Sequence, residues 1–354
     1  MILEDINPSM LTLARESRGI SQSELSKKIG VSQGKLSKAE KGEQGLPDDA
    51  FVKLSKVLEY PPKFFYQKSP SAPVSHYYYR KRITIPQKTV MQVESVVKIF
   101  RQNIDSLTDA VELPEFRLPT FNPDIESPEV IAEKVRYILN ISRGPVPNLV
   151  NLLETNGVIV VKTDLLSEKI DGISSVSDKG NRIIFLNERM PADRQRFSLA
   201  HELGHMLMHF DIPTITEDVE DEANRFASEF LMPRNEVINS LRALNFPKLG
   251  ELKRYWKVSM KSLVYRAKMI KAIDDRQYRN LMINFSKKGM TKSEPIQLAE
   301  EKPFIIDRII KMHLNDLAYS EKDLASIIHL LPDEFQNRFM TTERPKLRVL
   351  RNVG

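Results

Sequence analysis

Residues 21 to 42 read SQSELSKKIGVSQGKLSKAEKG, and this stretch dictates more local geometry than any other in the chain. Ser21 and Glu24 have the S-x-x-E spacing of a capping box, in which each side chain satisfies the other residue's backbone N–H at a helix start. Gly30 stands where a helix ends in the left-handed conformation, and Ser32, two residues on, can cap a second helix. Leu25 and Ile29 share one face of the first helix, and Leu36 and Ala39 turn inward on the second. The pattern predicts two short helices joined by a tight turn, with Gln33, Gly34, Lys35, Ser37, Lys38 and Lys41 left to solvent. In such a unit the second helix enters the DNA major groove, its first side chains at base edges and its lysines near phosphates.

Charge is needed to test that reading, because phosphate binding requires cations. The chain carries a formal +6, yet residues 1–66 hold 10 basic and 9 acidic side chains, so this module is nearly neutral. On composition alone, a small helical domain that binds protein stands as the alternative. The sequence pattern separates the two: LARESRGISQSELSKKIGVSQGKLSKAEKGEQGLP resembles the XRE (Cro/C1-type) helix-turn-helix family, with Gln22, Leu25, Gly30, Val31, Ser32, Gln33, Leu36, Ser37, Glu40 and Gly42 at the family's positions. The resemblance implies a five-helix domain over 1–66 that binds a double-stranded DNA operator as a homodimer on a two-fold related site. It further implies contacts from Gln22, Gln33, Lys35 and Lys38.

The remaining chain divides at composition shifts. A length of 354 residues suggests two or three domains at roughly 100 to 200 residues each. Residues 67–90 include KSPSAPVSHYYYRKRITIPQK and read as a linker or docking arm. Helices are expected at 91–111 and about 128–140. VIVVK (158–162) reads as a strand, and GISSVS with RIIFLN, either side of Asp178, Lys179, Gly180 and Asn181, reads as a hairpin and so as a small antiparallel sheet. Everything past about 191 reads mostly as helix. The expected class is α+β, mostly helical.

Within that helical part, residues 197–210 read FSLAHELGHMLMHF and hold three of the chain's 6 histidines. Side chains four apart on a helix differ by about 40° and 6 Å, so His201 and His205 can reach one ion. Glu202 points about 100° away and can reach a water in an open coordination position, where a general base belongs. The chain has 0 cysteines, which excludes disulfides and thiolate sites and leaves His, Asp and Glu as metal ligands. A third ligand is sought in TEDVEDEANRFASEFLMP (216–233), where Glu217, Asp218, Glu220, Asp221, Glu222 and Glu229 are candidates. With Ala223 as reference, Glu220 lies about 60° from the apolar stripe, while Glu222 and Glu229 lie about 100° and 120° away on the other side. Helical phase favours Glu220 and keeps Glu222 as its competitor. Asn224, one turn beyond Glu220, is placed to hydrogen-bond a ligand histidine from outside. His209 is read as lining the site or capping the helix.

RQRFSLAHELGHMLMH followed by VEDEANRFASEFLMP resembles the ImmA/IrrE metallopeptidase family over roughly residues 75–295. That resemblance implies a gluzincin-like zinc site with His201, His205 and Glu220 as metal ligands and Glu202 as catalytic base, within a domain placed at 91–248. The oxyanion donor is not legible; a Tyr or His from the linker is the guess. The hairpin at 172–187 is expected to offer an edge strand to an extended peptide substrate.

Residues 233–295 hold 15 basic and 5 acidic side chains. Inside them ELKRYWKVSMKSLVYRA (251–267) aligns without gaps on ELSKKIGVSQGKLSKAE (24–40), with five identities. The segment 249–295 therefore reads either as a second helix-turn-helix touching nucleic acid through Lys257, Lys261, Arg266 and Lys268, or as a helical subdomain closing the peptidase core. The same cue recurs weakly in SEKDLASIIHLLPDEF, inside a helical unit at 296–354 suited to contacts or dimerisation. MILEDINPSM lacks the basic start of a signal peptide, and no apolar run approaches the ~20 residues of a membrane span, so a cytoplasmic chain is expected. The combined expectation is a DNA-binding transcriptional regulator carrying a zinc peptidase that cuts a partner repressor or regulator. The alternative is a non-catalytic regulator or antitoxin whose peptidase-like domain is a sensor or scaffold.

Overall fold

The computed structural model describes residues 6–71, 85–210, 217–290 and 293–340. Among them are sixteen α-helices and one three-stranded sheet. Helices α1 (Pro8–Ser17), α2 (Gln22–Ile29), α3 (Gln33–Glu40) and α4 (Asp48–Leu58), with a 3-10 turn at Pro62–Tyr66 as fifth element, form the N-terminal domain. The expected caps are all present. Ser21 and Glu24 make the reciprocal box, Gly30 has φ of 77°, and Ser32 accepts from Lys35 N–H at 3.2 Å.

The sheet comprises β1 (Val158–Thr163), β2 (Gly172–Val176) and β3 (Arg182–Asn187) in the order β1-β3-β2. The hairpin pairs antiparallel, Gly172 opposite Leu186 through Val176 opposite Arg182. β1 joins it in parallel, Val158 opposite Arg182, so the sheet is mixed where an antiparallel one was expected. A parallel neighbour needs a crossover of a dozen or more residues, and the chain between β1 and β3, which includes β2, supplies it.

Because side chains alternate along a strand, the sheet divides two apolar cores. Ile159, Val161, Ile173, Ile183 and Phe185 face one core; Val158, Val160, Ile184 and Leu186 face the other. The first core is continuous with that of the N-terminal domain, through α5 (Gln87–Leu107). Phe100 of α5 meets Phe185 of β3 at 5.9 Å between ring centroids and Phe339 at 5.6 Å. Of the expected linker, Ile85 and Val90 are buried in this core, Gln102 Nε2 donates to Lys68 O at 2.7 Å, and Ser71 Oγ donates to Asp178 at 2.9 Å. Residues 72–84, which carry the linker's tyrosines and His76, lie outside the described residues. The N-terminal module is thus packed on the body of the molecule.

The second core gathers α6 (Pro128–Ile138), α7 (Leu149–Glu154), α8 (Ala192–Met208), α9 (Glu217–Leu231), α10 (Arg234–Val237), α11 (Phe246–Trp256), α12 (Met260–Met269) and α13 (Asp275–Lys287). The last helices, α14 (Ile305–Asn315), α15 (Glu321–Ile327) and α16 (Pro332–Phe339), return to the first core and touch the N-terminal domain, where Arg18 makes a two-pronged pair with Glu334 at 2.7 and 3.0 Å.

α11 and α12 do form a helix-turn-helix. Lys257 closes α11 in the left-handed region with φ of 56°, and Ser259, two residues later, caps α12 as Ser32 caps α3. The outer face differs. Met260, where Gln33 stands in the first unit, is 2% exposed, and Arg266 is 1% exposed. Arg266 pairs with Glu229 and donates to Met232 O, and the first-turn N–H groups of Met260 and Lys261 are held by the Glu294 carboxylate at 2.8 and 3.2 Å. A carboxylate already fills the helix end where a phosphate would bind. Of the two readings of 249–295, the geometry favours a subdomain that closes the core.

Candidate metal centre and nucleic-acid interface

α8 carries His201 and His205 one turn apart, and α9 crosses it closely because residue 204 is glycine: a Cβ there would lie 2.9 Å from the Phe226 ring. That approach sets Glu220, on the first turn of α9, over the two imidazoles. His201 Nε2 and His205 Nε2 are 3.0 Å apart, and Glu220 places Oε1 3.2 Å from His205 Nε2 and Oε2 3.8 Å from His201 Nε2. With metal–donor bonds of about 2.0–2.1 Å, a tetrahedral ion sets its donors about 3.3 Å apart, the spacing these three residues approach. Glu220 Oε1 is also buried without a hydrogen bond from the described residues, as an oxygen reserved for a cation would be. Two neutral imidazoles and one carboxylate are a donor set that zinc accepts, and together they form a possible metal-binding group.

The other candidates separate by position. Asn224 Oδ1 lies 3.1 Å from His201 Nδ1. Glu222 is turned away from the cluster and meets His209 Nε2 at 2.9 Å, while His209 Nδ1 lies 3.0 Å from His205 Nδ1. Sequence reasoning missed this contact; the signal was His209 four residues after His205, on the same helical face. Burial pushes the His209 imidazole below its ordinary pKa, opposed by the hydrogen bond to Glu222. Glu229 is committed to Arg266 and to Arg234 N–H, and Asp221 is exposed.

Glu202 points to the sheet. Its Oε2 accepts from Ser174 N–H of β2 at 2.7 Å, and Gly172 makes room for it, since a Cβ there would stand 3.0 Å from Glu202 Cγ. β2 is an edge strand, as a peptide-binding strand should be, but this N–H is already engaged. Ser174 Oγ is buried and has no hydrogen bond from the described residues.

On the nucleic-acid side, Gln33 and Lys38 are exposed on α3 and Lys35 is half-buried. Gln22 is different: its amide donates to Glu40 at 2.7 Å, and Arg15 holds the same carboxylate at 2.6 and 2.9 Å. Gln22 therefore ties α2 to α3 with one of its two amide hydrogens. A cleft of about 470 Å³ opens beside it, lined by Gln22, Gln33 and, from α5, Lys88 and Met91.

Fold and sites together define a class: a helix-turn-helix module packed on a metallopeptidase-like body. Residues 11–65 match the helix-turn-helix family, and residues 153–268 match the family described as IrrE N-terminal-like domain, so the chain joins these two domains. The second match is shorter than the 75–295 expected from resemblance. No curated protein sequence matches the chain. A solved structure, a Mycobacterium tuberculosis transcriptional regulator, is similar at 17% identity over 48% of this chain and 51% of that one, with a TM-score of 0.30. The chain thus spans about half the length of that structure. Among the described residues no helix is long and apolar enough to cross a membrane.

Proposed function

We propose that the chain is a DNA-binding transcriptional regulator, dimeric on its operator, whose body is a zinc-dependent endopeptidase acting on a partner repressor or regulator. The observation that carries the enzymatic part is the convergence of His201, His205 and Glu220 from two helices, with Glu202 beside them held by a strand. His201, His205 and Glu220 would hold the ion. Zinc there supplies Lewis-acid polarisation of a carbonyl and activation of water. Glu202 takes the proton from the attacking water and passes it to the departing amine. Ser174 N–H holds its Oε2 and so orients the carboxylate, and the absence of a side chain at Gly172 leaves room for its Cγ. Of the DNA contacts, Gln33, Lys35 and Lys38 would meet the operator, and Gln22 would orient the helix that does.

A second reading, a sensor or scaffold without turnover, is favoured by one feature: Glu202 is 5% exposed and already occupies an N–H of the edge strand. One experiment separates the two. Zinc-loaded protein is incubated with repressors encoded beside it, alongside Glu202→Gln. The peptidase reading expects new fragments from the wild type alone with zinc content unchanged in the variant; equal fragment yields, or none from any repressor tested, would favour the scaffold.

A further inference from the structure

We propose that Glu222 and His209 form a buried relay that locks His205 in the tautomer presenting Nε2 to the metal, so that Glu222 strengthens metal binding from two imidazoles away. This rests on the metal reading above. The argument is one of donors and acceptors. A neutral imidazole that coordinates through Nε2 must carry its proton on Nδ1. His205 Nε2 faces the cluster, 3.2 Å from Glu220 and 3.0 Å from His201 Nε2, so His205 Nδ1 is the protonated atom and donates to whatever lies beside it. What lies beside it is His209 Nδ1, at 3.0 Å. His209 Nδ1 must then be the acceptor, which places its single proton on Nε2, and Nε2 stands 2.9 Å from Glu222 Oε2, an acceptor. One arrangement of two protons satisfies all three steps. The same wiring holds on the other ligand, where His201 Nδ1–H donates to Asn224 Oδ1 at 3.1 Å.

Burial gives the relay its force. His205 and His209 are both 0% exposed, so water cannot substitute for either bond. A carboxylate behind a metal-bound histidine also raises the basicity of the coordinating nitrogen, and loss of such partners weakens metal binding by about 10- to 100-fold. The relay further accounts for two glutamates two positions apart on α9 with opposite assignments: Glu220 meets the imidazole Nε2 atoms, and Glu222 meets the back of the chain that orients them.

The test is zinc affinity by chelator competition on the full chain, for wild type, Glu222→Ala and Glu222→Gln, with far-UV circular dichroism of the metal-free forms as the folding control. Glu222→Ala is expected to lose about 10-fold in affinity, the low end for a partner behind a ligand histidine because Glu222 acts through His209. Glu222→Gln, which keeps an acceptor oxygen for His209 Nε2–H, is expected to lose less. Long-range nitrogen–proton spectra of the zinc-loaded wild type need no variant and are expected to show His201 and His205 as Nδ1–H tautomers and His209 as the Nε2–H tautomer. Zinc affinity unchanged in Glu222→Ala, or His209 protonated on Nδ1, overturns the relay while leaving the metal reading intact. Failure of the wild type to bind zinc overturns both.

Discussion

The units at 21–40 and 251–267 share a turn and the leucines packed behind it, and differ on the outer face. In each, a residue in the left-handed region ends the first helix, and a serine two positions later caps the second. A third copy occurs at 320–339, where Ser320 and Asp323 form a capping box, His329 has φ of 54°, and Leu331 precedes α16 by the same interval. At the start of its second helix the first unit shows Gln33 to solvent, whereas the third shows the acidic Asp333, which repels phosphate. The second buries Met260 and Arg266, and the third spends Glu334 on Arg18 of the first. Local sequence makes the turn, and the surroundings decide whether the turn reads DNA.

The widest separation between the units is expected in stability. Arg266 and Glu229 form a buried pair, so Glu229→Ala should cost about 3 to 5 kcal/mol by leaving the guanidinium uncompensated. Lys38→Ala, exposed on α3, should stay within about 0.5 kcal/mol. Denaturant unfolding measures both, and similar values would erase the distinction between a closing unit and a reading unit.

Next in size is a pH effect on the helix that precedes the third unit. Glu154 caps the start of α14, accepting from Phe304 N–H at 2.6 Å, and burial pushes its carboxyl up to about 7. A carboxyl whose folded pKa is raised binds protons more tightly folded than unfolded, so stability is greatest below the ordinary carboxylate range and falls as pH rises from about 4.5 through 7. Glu154→Gln should flatten that decline. Melting temperatures of both proteins from pH 4.5 to 8 check it, and parallel curves would remove Glu154 from the effect.

DNA binding should divide the first two units more finely. Substituting Gln33 and Lys35 is expected to relax operator choice by about 1 to 3 kcal/mol per lost base contact. Substituting Lys257 and Lys261 should leave both specificity and salt dependence unchanged, because α12 presents its start to Glu294. Titration of specific and random duplexes at several salt concentrations distinguishes these; a salt slope flattened by roughly 0.9 per lysine lost would return the second unit to the DNA. The smallest effect is a shared one. Ser32→Ala and Ser259→Ala remove equivalent caps and should each cost about 1 kcal/mol, and unequal losses would show that the two turns are alike in shape alone.

What the sequence determined by itself were features whose causes lie within one or two turns of chain. The caps at Ser21 and Ser32 were of this kind, as were the hairpin at 172–187 and the pairing of His201 with His205 by helical phase. Helical phase also pointed to Glu220 over Glu222, because a 100° step per residue is a local property. Tertiary structure decided the rest. That β1 lies parallel to β3, that the N-terminal domain shares a core with α5 and the last helices, and that Gln22 holds Glu40 all depend on residues far apart in sequence. So do Glu202 on Ser174 N–H, Glu222 on His209, and Glu294 at the start of α12. Each is a polar group finding the donor or acceptor that burial requires, and which partner is near is set by how the elements pack.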